Sequence, residues 1–328
     1  MKGYAGKKVL VTGAGGFIGS HLAEALVRAG ADVRAMVLYD SLGTRGWLDS
    51  SELAGQMEIH AGDIVDYDSV RTAMAGRDIV FHLAALIAIP YSYAAPLSYI
   101  RINIEGTANV LRAARDVGAK VVHTSTSEVY GTARYVPIDE AHPLQGQSPY
   151  SASKIGADKI AESFHLSFGL PVLTVRPFNT YGPRQSARAI LPSIITQVQA
   201  GKRTIRLGNL TPTRDLTFVE DTAAGFVAAG AATTAIGGTF NLGTGREISI
   251  GDLVGLVGRV LGQTVEVETD AARMRPESSE VERLLSDPSR AKAAFGWQAA
   301  VSLEDGIARA AEWFARNRHL YRAGDYVV

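Results

Sequence analysis

Val9-Leu10-Val11-Thr12-Gly13-Ala14-Gly15-Gly16-Phe17-Ile18-Gly19 decides the fold. A β-branched, apolar run ends in glycines spaced G-x-x-G-x-x-G, at Gly13, Gly16 and Gly19, and helix periodicity begins directly behind them. Such a pattern reads as a strand that turns sharply into a helix. Without Cβ atoms the backbone can make that turn and come close to a pyrophosphate. The helix start adds free N–H groups and the positive end of the helix dipole, both suited to an anion. The competing reading is a purely structural turn.

Working outward, strands are predicted at 8–12, 32–38, 57–60, 78–83, 120–124 and 172–176. Helices are predicted between them at 18–29, 67–75, 99–117 and 150–168. This alternation predicts an α/β fold, a Rossmann-type doubly wound parallel sheet with helices on both faces. After Arg176 the texture changes, and Pro177, Gly182, Pro183, Pro192, Gly208 and Pro212 cut the chain into shorter pieces. A last amphipathic helix is predicted at 303–317, with Ile307, Ala311 and Phe314 on one face. The expected organisation is a dinucleotide-binding domain at 1–176 and a smaller α/β substrate domain at 177–328, some segments of which return to the first. Ligands of such sheets bind in a shared cleft.

Composition narrows the chemistry. Of 328 residues, 33 are basic and 33 acidic, so no bulk field draws the chain to nucleic acid or anionic membrane. The absence of cysteine removes disulfides, thiolate nucleophiles and cysteine–metal sites. His21, His60, His82, His123, His142, His165 and His319 show no ligand spacing, so no metal site is expected. His82 and His123 fall in apolar strands and read as core histidines. The N-terminal segment has no leader-like apolar region, and no run of 18 apolar residues occurs. A soluble, cytoplasmic protein without a membrane partner is expected.

A dinucleotide site also calls for an acid near the end of the second strand. Val37 stands where it is expected, and Asp40 comes three residues late, followed by Ser41, Thr44 and Arg45. The acid points to NAD, and the hydroxyl–arginine cluster to the 2′-phosphate of NADP. Both stay open. Asp63, ahead of Ile64, can accept from an adenine amine or cap a turn. Further on, Tyr150 and Lys154 are four apart on a predicted helix, so they share a face. An ammonium beside a phenol favours the phenolate and is expected to bring its pKa down from about 10. Such a phenol takes the proton of an alcohol while hydride leaves. Thr126, just past the strand at 120–124, lies at the sheet edge where active sites form.

Together with His82-Leu83-Ala84-Ala85, Asn103-Ile104-Glu105-Gly106-Thr107, Arg176-Pro177-Phe178-Asn179-Thr180-Tyr181-Gly182-Pro183-Arg184, Arg214-Asp215 and Arg275-Pro276, these motifs resemble the extended short-chain dehydrogenase/reductase family. The likeness is to its nucleotide-sugar epimerases and dehydratases and covers nearly the whole chain. It implies an oxidation triad of Thr126, Tyr150 and Lys154. It implies cofactor contacts at Gly13, Gly16, Phe17, Ile18, Gly19, Asp40, Ser41, Asp63, Ile64, Leu83, Ala84, Ala85, Asn103, Tyr150 and Lys154. The cofactor it implies is NAD(P), with NAD favoured, tightly bound and recycled. Substrate contacts to a nucleoside-diphosphate sugar are implied at Ser92, Asn179, Arg184, Leu191, Arg214 and Arg275. A homodimer through helices 99–117 and 150–168 is implied as well.

Oxidation at C4 of a hexose acidifies the C5 proton, and a base there can expel the C6 hydroxyl. Glu128, two residues beyond Thr126, looks like the base of the 4,6-dehydratases, but Ser127 stands where those enzymes carry an acidic Asp. The Thr-Ser-Glu run also resembles UDP-glucuronate decarboxylases, and plain 4-epimerases need no glutamate. The segments 84–93, 123–131 and 145–149 look most like legionaminic-acid-type dehydratases, which act on a nucleotide-linked N-acetylglucosamine. The expected order is therefore dehydratase, then 4-epimerase, then decarboxylase. A non-catalytic dinucleotide sensor is disfavoured by the Tyr150–Lys154 pair.

Overall fold

A computed structural model describes residues 3–321 of the chain. Its frame comprises β1 (Lys8–Thr12), α1 (Phe17–Arg28), β2 (Asp32–Val37), β3 (Met57–Ala61), α2 (Tyr67–Met74), β4 (Ile79–His82), α3 (Gly106–Val117), β5 (Lys120–Thr124), α4 (Pro149–Phe168) and β6 (Val172–Pro177). Then come α5 (Ile190–Gln199), α6 (Val219–Ala231), β7 (Thr239–Leu242), α7 (Ile250–Val260) and α8 (Leu303–Arg316). One sheet runs β7-β6-β5-β4-β1-β2-β3, every pair parallel. Strand order reverses between β1 and β4, so the crevice at their carboxyl ends is the expected ligand site of this topology.

The strands alternate between two cores, as the period of two requires. Val9 and Val11 pack with Leu22 of α1 and Phe226 of α6 on one face. Leu10 and Val80 pack with α2, α3 and Ala161 of α4 on the other. The seventh strand and one covering helix, α6, thus come from beyond Arg176. A further core joins α5, α7 and α8, with Leu191, Ile194, Leu253, Val257, Ile307 and Phe314 fully covered. Residues 322–328 of the expected second domain, and Met1-Lys2 at the start, lie outside the described residues.

The stretch expected as one helix at 99–117 departs from regularity. Pro96–Tyr99 is α-helical, Ile100–Glu105 has wide π-type turns, and α3 begins at Gly106. The Thr107 hydroxyl donates to the Asn103 carbonyl at 2.6 Å across that junction. Wide turns of this kind often mark functional sites. By contrast α4 is regular over its whole length. Ser148 caps it in a reciprocal box with Ser151, Pro149 occupies its first turn, and Gly169 at φ 66° ends it.

Candidate active site

The glycine loop is built by exclusion. Gly13 sits at φ 68°, and a Cβ there would lie 2.8 Å from the Ala84 backbone N. A Cβ on Gly19 would lie 2.1 Å from the Gly13 carbonyl O. Gly16 caps α1 without any side-chain bond, which leaves the amides around Phe17 and Ile18 open to a ligand. A hydrogen-bonded chain holds β4 against the loop. Thr12 Oγ1 accepts from the Leu83 and Ala84 amides, both at 3.1 Å, and so donates to His82 Nδ1 at 2.9 Å. His82 Nε2 then donates to Thr107 Oγ1 at 3.0 Å. This fixes the tautomer from the network, and burial holds the imidazole far below its usual pKa, in its neutral form. His82 is the core histidine it was expected to be. A cradle with room for backbone only, ahead of an open helix N-terminus, fits a dinucleotide pyrophosphate.

The remaining expected cofactor residues are used in several ways. Asp40 folds its carboxylate into its own turn, accepting from the Leu42 and Thr44 amides at 2.7 and 3.2 Å and from the Thr44 hydroxyl. Ser41 beside it is exposed. Asp63 accepts from the Val65 amide at 2.9 Å, the turn-capping alternative, while Ile64 is buried against Gly106. Asn103 is consumed internally. Its amide group pairs with the Leu86 backbone N and O, both at 2.9 Å, and donates to Ser153 Oγ at 2.9 Å. It therefore positions the segment after Ala85 against α4.

The catalytic edge is built from side chains. Thr126 caps a short turn, Ser127–Tyr130, by accepting from the Glu128 amide at 3.2 Å. The same hydroxyl lies near enough to the Tyr150 phenol to favour its ionised form. Tyr150 stands edge-on to Tyr99, ring centroids 6.2 Å apart. Ser127 is covered and Glu128 is 9 % exposed, its charge felt by both Tyr150 and Arg214. Lys154 Nζ donates to the Thr124 carbonyl at 2.6 Å.

The expectation that Lys154 lowers the phenol pKa needs correction. Burial pushes the Tyr150 phenol well above its usual value, and the nearby Thr126 hydroxyl opposes this only in part. Burial also brings the Lys154 ammonium down to about 8, against the pull of Asp158. Desolvation acts on both partners, and Lys154 spends a proton on a carbonyl.

The substrate-side residues divide as well. The buried Oδ1 of Asn179 has no hydrogen-bond partner. Arg214 and Arg275 converge on Glu280 Oε1, at 3.4 and 3.5 Å. Arg184, at φ 70°, turns instead to Glu24 of α1, 2.8 Å away. Leu191 lies in the third core, and Ser92 is fully buried with its hydroxyl donating to Ile89 O at 2.7 Å. Sequence reasoning missed a buried network behind the triad. Asp158 accepts from His123, Ser125 and Arg176, and Arg176 reaches Tyr130, which donates to Asn241. Asp158 falls eight residues after Tyr150, the spacing that keeps it on the Tyr150–Lys154 face, and that signal was readable. Glu280 and Glu24 carried no such signal. Among the described residues no group of three or more His, Asp or Glu could hold a metal ion, and no helix is long and apolar enough to cross a membrane.

Comparison with known proteins agrees with this geometry. The profile of the GDP-mannose 4,6 dehydratase family matches residues 10–310. A UDP-glucose 4-epimerase of Mycolicibacterium smegmatis is 35% identical over 319 residues, 95% of this chain and 99% of that one. A dTDP-glucose 4,6-dehydratase of Streptomyces griseus is 35% identical over 319 residues, 94% of each chain. Among solved structures, the dTDP-glucose 4,6-dehydratase DesIV of Streptomyces venezuelae, which has NAD bound, superposes with a TM-score of 0.85 at 29% identity, over 96% of this chain and 99% of that one. Profile and full-length relatives together establish that the chain belongs to the GDP-mannose 4,6 dehydratase family, whose members include nucleotide-sugar dehydratases and 4-epimerases.

Proposed function

We propose that the protein is a nucleotide-sugar 4,6-dehydratase acting on a nucleoside-diphosphate N-acetylglucosamine or a similar hexose. The observation that carries this reading is Glu128, a buried carboxylate on the turn that Thr126 caps, whose charge is felt at both Tyr150 and Arg214. In this reading Gly13, Gly16 and Gly19 with the start of α1 hold NAD(P), with NAD the favoured form. Bound there, a nicotinamide supplies the hydride acceptor for oxidation and the hydride donor for the return.

Tyr150 takes the C4 hydroxyl proton, with Thr126 sharing the bond, as C4 is oxidised to a ketone. Lys154 opposes the growing phenolate charge. Glu128 then removes the acidified C5 proton, and the C6 hydroxyl leaves as water once protonated. With Ser127 in place of a carboxylic acid, Glu128 itself delivers that proton, so one residue serves as base and then acid. Hydride returns to C6 and a proton to C5, and the net change is loss of one water. Arg214 and Arg275, now sharing Glu280, turn their planar donors to the diphosphate. Asn179, with its unpaired acceptor, faces a sugar or phosphate-side donor. A second copy covers the apolar positions left exposed on the paired helices, such as Leu166 at 75 % and Phe168 at 54 % exposure, which gives a two-fold dimer.

The decisive experiment is the product mass from UDP- or GDP-N-acetylglucosamine without added reductant. Loss of one water, 18 mass units, supports the reading. An unchanged mass with inverted C4 would overturn it in favour of a 4-epimerase, the second reading, which Ser127 favours because an epimerase needs no acid there. Loss of carbon dioxide from a uronic acid substrate would point instead to a decarboxylase. Glu128→Gln should abolish deuterium exchange at C5 and leave C4 oxidation visible in one turnover. Exchange that persists would remove Glu128 as the base.

A further inference from the structure

Tyr150, Lys154 and Asp158 stand one helical turn apart on one face of α4, and each engages the end of β5. Tyr150 lies beside Thr126, and Lys154 Nζ donates to Thr124 O at 2.6 Å. Ser125, between them, donates its hydroxyl to Asp158 Oδ2 at 2.7 Å. Thr124 and Ser125 are thus fastened to two consecutive turns of α4, with Thr126 beside Tyr150 on the turn before. Asp158 is 5 % exposed and its bonding is dense. His123 Nε2 meets Oδ1 at 3.0 Å, and Arg176 donates to Oδ2 through Nη2 at 3.0 Å and Nε at 3.3 Å.

We propose that Asp158 is a positioning residue of the oxidation site: its carboxylate fixes Ser125 between Thr124, which Lys154 holds, and Thr126, which lies beside Tyr150, and it faces Lys154 with the compensating buried negative charge. The inference rests on the proposed reading that Tyr150 and Lys154 oxidise a sugar alcohol. A buried cation without a partner gives up its proton, and Lys154 is needed as a cation beside the forming phenolate.

The charges around Lys154 make Asp158 the relevant one. On α4 itself Tyr150 is neutral. His82 from β4 and His123 from β5 are both pushed down by burial, so neither adds positive charge near neutrality. Arg176 from β6 is a second buried cation and is tied to Asp158. Glu128 approaches from the turn after β5, on the side of Tyr150. Burial works against ionisation of Asp158, yet the hydrogen bond from His123, the charge of Arg176 and the Ser125 hydroxyl outweigh it and hold the carboxyl at about 2. It is therefore charged throughout the working range, and it is the group that opposes the downward push of burial on Lys154.

The test reads Lys154 directly. In protein labelled at lysine Cε with 13C, the Lys154 resonance is identified by its loss in Lys154→Met and titrated against pH. Asp158→Asn, which keeps the shape and removes the charge, should move its midpoint down by about 1 pH unit or more, the size expected of a near opposite charge. The high-pH limb of kcat should move with it. An unmoved midpoint in folded Asp158→Asn overturns the proposal. Ser125→Ala leaves both charges in place and tests the geometric half, also when Asp158→Asn does not fold. A fall of about tenfold in kcat with KM unchanged is expected from a small misplacement of the strand end, and an unchanged kcat overturns it. The titration needs no substrate. Inertness toward every nucleotide sugar would therefore defeat the proposed reaction alone, and a fixed midpoint would defeat this inference alone.

Discussion

The glycine loop and the end of β5 lie on the same carboxyl edge of one sheet, yet they are shaped by opposite means. At the loop the chain is defined by what cannot be present: side chains on Gly13 or Gly19 would meet backbone at 2.8 and 2.1 Å. At β5 it is defined by what is present: the His123 and Ser125 side chains and the Thr124 carbonyl are tied to α4, with Thr126 beside Tyr150. Steric exclusion penalises any added side chain at the loop and has no pH dependence. A bonded, buried edge tolerates shape-preserving changes but responds to every charge. Each region should therefore fail in its own way.

The largest effect is expected at the bonded edge. Tyr150→Phe keeps the ring and its packing on Tyr99 but removes the hydroxyl beside Thr126. First-turnover oxidation, followed as absorbance of reduced nicotinamide, should fall by roughly 10³-fold, within the range for loss of a positioned acid–base group. Retention of bound NAD should not change. A variant that also loses NAD would show that the two regions are not separable.

Gly19→Ala probes the other region with a smaller expected loss. One methyl group must be accommodated against the Gly13 carbonyl, and backbone shifts of that kind cost about 1–3 kcal/mol. NAD affinity should fall by roughly 10- to 100-fold, while kcat at saturating NAD stays close to that of the parent. Calorimetric titration of the apo form measures this. Undiminished affinity would mean that the loop relaxes freely and that the exclusion argument is wrong.

The same contrast explains what was legible in the sequence. The loop, the strand alternation and α4 were readable because each is written locally, in glycine spacing, period-two burial or the Ser148-Pro149 start. Tyr150, Lys154 and Thr126 were readable because their spacing along one helix and one strand end carries the geometry. The pKa of Tyr150 was not, because it depends on how deeply α4 is covered by Tyr99 and the segment before it. Arg184 was expected at the substrate, but its partner, Glu24, lies 160 residues away on the first helix. Asp40 was expected to face a ribose, and its carboxylate instead completes a local turn, a use that Asp favours in loops. Placement of residues beyond 176 suffered most, since α6 and β7 join the first sheet through pairings that no local pattern announces.

The smallest expected effect lies where the two halves of the chain meet on α1. His21 Nε2 bonds the Pro183 carbonyl at 3.1 Å, next to the Arg184–Glu24 ion pair. Burial, followed by the charge of Arg184, lowers the imidazole to about 4, while the Pro183 bond and Glu24 resist. The unfolded chain takes up this proton near pH 6.5 and the folded one only near pH 4. Stability from this group is therefore full above pH 6.5 and is lost as pH falls toward 4. Between pH 7.5 and 5 the loss is about 1–2 kcal/mol by linkage. His82 and His123 are lowered by burial in the same direction, so they too lose stability as pH falls. His21→Gln keeps an N–H donor for Pro183 but cannot titrate, so it should flatten the acid side of the stability curve without abolishing its slope. Urea midpoints at pH 7.5, 6 and 5 measure this. A variant that loses stability as steeply as the parent would show that His21 is not held neutral between the glycine-loop helix and the 183–184 turn.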